Sequence, residues 1–474
     1  KMKILLLSPP TENSRFPPLG IAYISSFLNA NGHEAVIKDA NNISAKEIVN
    51  SVKKYAPDIV GITMNTTNRF VAIDILKKVK KRYNLPTIAG GPHATIMTDQ
   101  LLKNYPHIDY IVRNEGEFVT LNLLNYLEKG KDLGNITGLS YRKNNQVFHN
   151  ARAEPIKDLD ILPYPDYNFF DLKNYSKNPE HPKEILKFPV GSIMSSRGCP
   201  YHCIFCSTSQ LWGHRIRFRK PEFVVDEMQN LLKEHNTRYI VFNDDNFTAD
   251  RKRAIEICKV IIKRGLQKEI TWACSSEVNI INRDLLEWLK KAGCHMIEYG
   301  VEDPGEEGTR FFKKAHTQKQ LFEAFKLTNE IGLKSRSFVI VGGDHESKEN
   351  IELKKRLMEK INPTATTASL LLAFPGTELF ERGKQRGLWD DSIWLRPCVG
   401  KKFHNYVPIY HSENMDLNGL FEASADLYYW WNRKKGSFRF REQAGVVKGL
   451  IKRRDFLKIY AMGKSVIKRS VKGL

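Results

Sequence analysis

The sequence predicts an α/β protein: an N-terminal doubly wound parallel sheet, a partial, open (β/α)6 barrel, and a mainly helical C-terminal region. Three observations predict it. Short apolar runs alternate with amphipathic stretches from residue 3 to about 128, as in strands joined by covering helices. A polar stretch with Pro155, Pro163, Pro165, Pro179 and Pro182 interrupts the rhythm. It then resumes for six strand-helix units from about 188, fewer than the eight of a closed barrel. The expected division is a first domain over 1–135, a linker over 136–187, the barrel over 188–388 and a basic, mainly helical cap over 389–474.

In the first unit the strands are expected at 3–7, 34–38, 59–63, 87–89 and 110–112. Apolar residues at helical spacing place helices at 19–31, 45–55, 70–83 and 117–127. Ligands of such sheets sit at the carboxyl ends of the strands, so the loops after Leu7, Lys38, Thr63, Ala89 and Val112 are the candidate positions. In the second unit strands are expected at 191–195, 239–242, 270–273, 296–300, 337–341 and 369–373. From about Trp389 the alternation stops, and the chain runs through Tyr428, Tyr429, Trp430 and Trp431 into a basic stretch.

Composition narrows the function classes. With 41% hydrophobic and 27% charged residues, wholesale disorder and a polytopic membrane protein are both excluded. The formal charge of +21 is uneven: from Arg433 to Leu474, fourteen Lys and Arg face only Glu442 and Asp455. No nucleic-acid recognition motif accompanies that tail. The segment 445–474 reads as a basic amphipathic helix, either packed on the barrel or touching anionic lipid. Seven cysteines are too few for a disulfide framework. The apolar run Ile4 to Leu7 is too short for a signal peptide, and the expected location is the cytoplasm, with peripheral membrane contact through the C-terminus.

Three of the cysteines carry the strongest chemical signal. Cys199, Cys203 and Cys206 form a Cys-x3-Cys-x2-Cys run directly after the first strand of the second unit. A structural zinc would need a fourth ligand, for which His202 and His214 are available. Three thiolates on one loop also suit a 4Fe-4S cluster that leaves one iron open to a substrate or cofactor. Cys258, Cys274, Cys294 and Cys398 have no close spacing, and the first two read as packing residues.

This spacing, with Phe205 before the last cysteine, resembles the radical S-adenosylmethionine superfamily. From about Lys3 to Leu388 the chain is similar to its cobalamin-binding members, the anaerobic magnesium-protoporphyrin cyclase and class B methyltransferase branch. In the first unit that rests on Pro17-Pro18-Leu19-Gly20, Gly90-Gly91-Pro92-His93-Ala94-Thr95 and Glu115-Gly116-Glu117. The resemblance implies a Rossmann-like cobalamin domain and a radical barrel. It implies a cluster on Cys199, Cys203 and Cys206, and adenosylmethionine near Phe205, Asp244, Asp245, Ser276 and Glu302. Cobalamin would meet Pro10, Thr11, Thr63, Asn65, Gly90, Gly91, His93, Glu115 and Gly116.

Departures from the family pattern sharpen these expectations. The loop Ser8-Pro9-Pro10-Thr11-Glu12-Asn13 lacks the cobalt-ligating histidine of many cobalamin domains, and none occurs before His33. The resemblance then implies cobalamin bound without its own base and without histidine, with 65–69 facing its lower side. Asp303 stands where relatives have serine, and Gly342-Gly343-Asp344-His345-Glu346 replaces a Gly-x-Pro-Gly-Glu loop. The tRNA methylthiotransferases, a related branch, carry cysteines in their N-terminal domain, whereas the first here is Cys199.

The implied activity is methyl transfer to an unactivated carbon through a 5′-deoxyadenosyl radical and methylcobalamin. The alternative is the same cofactors used for cyclisation, oxidation or carbon-carbon coupling. A different class, a corrinoid carrier with an inert cluster, would leave the open iron without a use. Implied partners are a small-molecule, lipid or peptide substrate and a reductant such as flavodoxin or ferredoxin.

Overall fold

Strand β1 (Lys3–Ser8) shows how the first layer is built. Ile4 and Leu6 point to one core while Leu5 and Leu7 point to another, the period of two that buries a central parallel strand on both faces. The computed structural model describes residues 1–10, 14, 16–40, 43–129, 132–177, 187–395 and 407–435. With β2 (Glu34–Asp39), β3 (Ile59–Thr63), β4 (Thr87–Gly90) and β5 (Tyr110–Val112), β1 forms a parallel sheet in the order β2-β1-β3-β4-β5. The order reverses between β1 and β3, which opens a crevice at their carboxyl ends. Local signals start and stop the helices: Ser44 and Glu47 form a capping box ahead of Ala45–Tyr55, and Asn84 ends Arg69–Tyr83 in the left-handed conformation.

The sheet is larger than its sequence pattern suggested. An antiparallel hairpin, β6 (Leu139–Lys143) and β7 (Gln146–His149), continues it beyond β5 to seven strands. Part of the stretch expected to be a linker therefore belongs to the first layer. Asn144 and Asn145, at φ 50° and 60°, make the two-residue turn that a hairpin needs.

The second sheet follows the expected count. The strands β8 (Val190–Ile193), β11 (Tyr239–Phe242), β12 (Thr271–Ser276), β13 (Cys294–Glu302), β14 (Lys334–Val341) and β15 (Ala365–Leu370) are parallel and adjacent in that order. Two short strands, β9 (Ser196–Arg197) and β10 (Arg217–Phe218), pair antiparallel outside it. The last strand lies earlier than the expected 369–373: the Thr-rich segment from Ala365 pairs with β14, while Leu371 and Ala373 leave the sheet for a core with Phe380, Trp394 and Tyr410. Apolarity marked the core-bound end, not the paired strand.

Helix Leu417–Lys434 covers β15. Ser424 Oγ donates to Ala368 O at 3.1 Å, Asn432 Nδ2 to Thr366 O at 3.1 Å and Trp431 Nε1 to Pro363 O at 3.1 Å. An edge strand left bare would invite pairing with other chains, and this helix prevents it. The basic stretch 445–474, with its expected membrane contact, and Cys398 lie outside the described residues. No described helix is long and apolar enough to cross a membrane.

One core ties both sheets together. It runs from Ile4, Leu6 and helix Leu19–Ala30 through Leu159, Leu162 and Tyr167 of the connector to Ile193, Ile240, Phe242 and Trp272. The carboxyl ends of β3 to β5 thereby face the loop that leaves β8.

Candidate active site

The cysteine loop is an excursion between two paired strands. Arg197 in β9 pairs with Arg217 in β10, so residues 198–216 leave and return at one point. Cys199 and Cys203 are half-buried and Cys206 is exposed. Cys206 N donates to Cys203 O at 3.1 Å, and Leu379 N donates to Ile204 O at 3.0 Å, which holds the loop tip on the barrel. Phe205 packs edge-on against Phe312, with centroids 5.5 Å apart.

Burial pushes the Cys199 thiol up to about 11 and the Cys203 thiol up to about 12. These groups become thiolates only where a bound metal repays deprotonation. His202 and His214, the candidate fourth zinc ligands, are exposed and lie ring against ring at 4.0 Å. Among the described residues no three His, Cys, Asp or Glu side chains converge on a single metal ion. A cuboidal cluster places each thiolate on a different iron and needs no such convergence. Three thiols on one loop, one of them open to solvent, fit that group.

Around the loop lies a ring of acids at the strand ends, which the structure separates into two kinds. Asp244, after β11, is buried and already engaged: it accepts from Ser195 N, Ser195 Oγ and Ser196 Oγ, each at 2.6 Å. It braces the approach to Cys199 through these three bonds. Ser276 is likewise buried, sharing a 2.5 Å hydrogen bond with Thr248 Oγ1. Asp245 differs, since it is open to solvent at the recessed mouth and bonded to Thr208 Oγ1 at 3.1 Å. Burial by the surrounding walls pushes its carboxyl up to about 6.

Glu302 ends β13 at φ 55°, where the register with β14 shifts. Such a conformation is costly for a side-chain-bearing residue and persists only where the surroundings enforce it. Lys314 Nζ lies 3.6 Å from Glu302 Oε1 and also pairs with Glu277. Burial pushes the Glu302 carboxyl up to about 7 against the pull of Lys314. Burial works against the Lys314 charge too, but Glu302, Glu277 and Cys203 together carry it above its ordinary value. A Cβ on Gly300 would come within 2.9 Å of Glu302 Oε1, the movable end of that side chain.

At the first sheet, Pro10, Thr63 and Gly90 are half-exposed and Asn65 is exposed at the carboxyl edge. Thr11 lies outside the described residues. Gly91, at φ +89°, lets its loop close on β3: a Cβ there would meet Thr63 Oγ1 at 2.9 Å and Met64 N at 3.0 Å. His93 is buried, bonded through Nδ1 to Thr66 Oγ1 at 3.2 Å, and burial depresses it to about 3. It stays neutral beneath the loop and does not project from it. Small half-exposed residues at the switch point, with the loop's histidine turned inward, fit a broad flat ligand bound without a histidine below it.

Glu115 and Gly116 are turned away from that edge. Glu115 accepts from Arg197, Arg217 and Ile156 N, and a Cβ on Gly116 would strike Ile24 at 2.6 Å. Sequence reasoning missed the residues that complete these contacts: Arg197, Arg217 and Lys314. Arg197 carried a usable signal, a lone charge between the buried β8 and the first cysteine. Lys314 sits in an ordinary Lys-Lys pair and carried none. A depression of ≈ 720 Å³ lined by Phe218, Arg251, Lys252, Asn282 and Asp284 contains none of these residues.

Comparison with known proteins matches two families. Residues 12–124 match the B12 binding domain, and residues 193–357 match the radical SAM superfamily. An uncharacterized methyltransferase of Pyrococcus horikoshii is 34% identical over 390 residues, 80% of this chain and 83% of that protein. The anaerobic magnesium-protoporphyrin IX monomethyl ester cyclase of Cereibacter sphaeroides is 29% identical over 462 residues, 95% of this chain and 74% of the cyclase. Among solved structures, the cobalamin-dependent S-adenosylmethionine radical enzyme OxsB, with aqua-cobalamin and S-adenosylmethionine bound, superposes with a TM-score of 0.71. That match has 18% identity and covers 97% of this chain and 72% of OxsB.

Proposed function

Because this chain belongs to the cobalamin-binding radical S-adenosylmethionine enzymes, we propose that it transfers a methyl group to a carbon atom that has no activating group. The observation that carries the reading is the 34% identity to a methyltransferase across both units. When bound, the cluster and adenosylmethionine supply a substrate-activating radical and the cobalamin supplies a methyl carrier.

The residues of this chain do the holding. Cys199, Cys203 and Cys206 would ligate the cluster, and Phe205 packed on Phe312 fixes the loop tip. Asp245, open to solvent, and the buried Glu302 would be the carboxyls for the ammonium end of adenosylmethionine, with Lys314 setting the charge between Glu302 and Glu277. Asp244 and Ser276 act from behind by holding the strand ends. Thr63, Asn65 and Gly90 would face the corrin, with Gly91 and His93 shaping the loop beneath. A flavodoxin- or ferredoxin-type donor would approach on the side of exposed Cys206.

Anaerobic turnover with product quantification tests the reading. Methyl transfer requires S-adenosylhomocysteine and 5′-deoxyadenosine in comparable yield. The relation to the cyclase favours a second reading, oxidative cyclisation, which would give 5′-deoxyadenosine without S-adenosylhomocysteine.

A further inference from the structure

A single tetrapeptide of the first sheet grips both flanks of the cysteine loop. Asn114, Glu115, Gly116 and Glu117 join β5 to helix Gly116–Lys129 at the ligand edge. Upstream of the cysteines, Arg197 donates Nη1 to Glu115 Oε1 and Nη2 to Glu117 Oε1, both at 2.6 Å. Its guanidinium also lies over the rings of Tyr23 and Trp212, at 5.4 and 5.2 Å. Arg217 donates to Glu115 Oε2 and to Ile156 O, both at 2.7 Å. Downstream, Asn114 Nδ2 donates to Gln210 O at 3.1 Å and to Leu211 O at 2.9 Å, in the helix that begins two residues after Cys206. Asn114 N in turn donates to Thr95 Oγ1 at 2.9 Å, on the short helix that follows Gly91.

The four ionic side chains are 3 to 7% exposed. Apolar residues would bury such a seam at lower cost, because desolvating two carboxylates and two guanidinium groups offsets most of their attraction. What charged groups add is direction, since a guanidinium shared between two carboxylates fixes position and plane together. The cluster loop is thus referenced on both sides to the ligand edge of the first sheet, as well as to its own barrel. We infer that residues 114–117 are positioning residues that register the cluster-bearing loop against the cobalamin edge, with Arg197 and Arg217 as their receiving side chains. The inference rests on the binding of both cofactors and is independent of whether the reaction is methyl transfer.

Two variants of the reconstituted holoenzyme test it. Glu117→Gln keeps the shape and removes one charge. Asn114→Gly is compatible with the left-handed backbone at φ 60° and removes the side chain that carries the amide. Electron paramagnetic resonance of the reduced protein loaded with cob(II)alamin reads the relation between the two centres, and melting temperature reads the interface. We expect both variants to retain iron and cobalamin at wild-type stoichiometry while the cluster and cobalt line shapes change. The ratio of 5′-deoxyadenosine to substrate-derived product should rise about tenfold as cleavage uncouples from product formation, a moderate effect for a sub-ångström misplacement of reacting groups. Lower melting temperatures with unchanged spectra and unchanged coupling would make the network a structural seam and overturn the inference. If Glu117→Gln does not fold, Asn114→Gly decides by the same readings. Wild-type protein that fails to retain cobalamin would overturn the two-cofactor reading and this inference with it.

Discussion

Glu227→Gln should make the protein less sensitive to pH, and more stable than the parent at the alkaline end relative to the acid end. Glu227 is 1% exposed on helix Pro221–His235. Its Oε1 accepts from Tyr167 Oη at 2.9 Å, while Arg219 Nη1 stands 3.7 Å from Oε2, beyond hydrogen-bonding reach. Burial raises the carboxyl from 4.5 to about 7, against the weaker pull of Arg219 and of the Tyr167 bond. Between those two values the folded protein keeps a proton that the unfolded chain has released. Wild-type stability therefore falls as pH rises from about 4.5 and levels off above about 7. Integrated from pH 5 to pH 8, the loss is about 2.5 kcal/mol. Glutamine can still accept from Tyr167 and has no proton to lose, so its stability lacks this term. Urea denaturation of both proteins across that range measures the difference, and an infrared difference spectrum reads the protonated carboxyl directly. Parallel stability curves, or no protonated carboxyl at pH 6, would refute the argument.

Three further outcomes follow from the site. Cys203→Ser should abolish iron retention while stability stays within about 1 kcal/mol of wild type, because the side chain is half-buried and packs little surface; iron analysis and urea denaturation check both halves. Asp244→Ala removes the acceptor for Ser195 N and for two serine hydroxyls. It should cost about 3–5 kcal/mol in denaturation and lower cluster occupancy, since it strands buried donors beside Arg253. Gly91→Ala places a Cβ 2.9 Å from Thr63 Oγ1 at a positive φ. It should cost about 1–3 kcal/mol and release cobalamin on gel filtration, with the cluster retained.

Much of the fold could be read from periodicity because the strands are buried on both faces. The run from Ile4 to Leu7 and the run from Tyr239 to Phe242 are apolar without interruption, and each became a strand at the predicted place. Where a strand has only one covered face, the signal weakens. β7 sits at the edge, with Gln146, Phe148 and His149 exposed, and it went unpredicted inside a stretch whose prolines suggested a connector. β15 lies under a single helix and is built from Ala, Thr and Ser up to its last residue, Leu370, so the more hydrophobic residues from there on drew the prediction four residues too far.

The site divides along a different line. Cysteine spacing is legible because a cluster demands a fixed set of ligands on one loop, and that demand is local in sequence. The charged partners are not local: Arg197 meets Glu115 and Glu117 across 82 and 80 residues, and Lys314 meets Glu277 across 37. Each side chain alone looks like an ordinary surface charge, and only the fold shows that it is desolvated. The motif Glu115-Gly116-Glu117 shows how this misleads. Two acids around a glycine after a strand resemble a ligand loop, and here they lie at the ligand end of the sheet but point into the seam between the layers. A buried carboxyl must find a cation or other hydrogen-bond donors, or keep its proton, so paired acids leading into a buried helix should be read first as a demand for such partners, arginine above all, elsewhere in the chain. By that rule the Arg beside the first cysteine was the residue to nominate, because it follows the buried β8 and precedes a glycine. The same demand explains why Asp244 and Asp245, adjacent in sequence, part in role: the first is satisfied by serines behind the loop and the second is left facing the mouth.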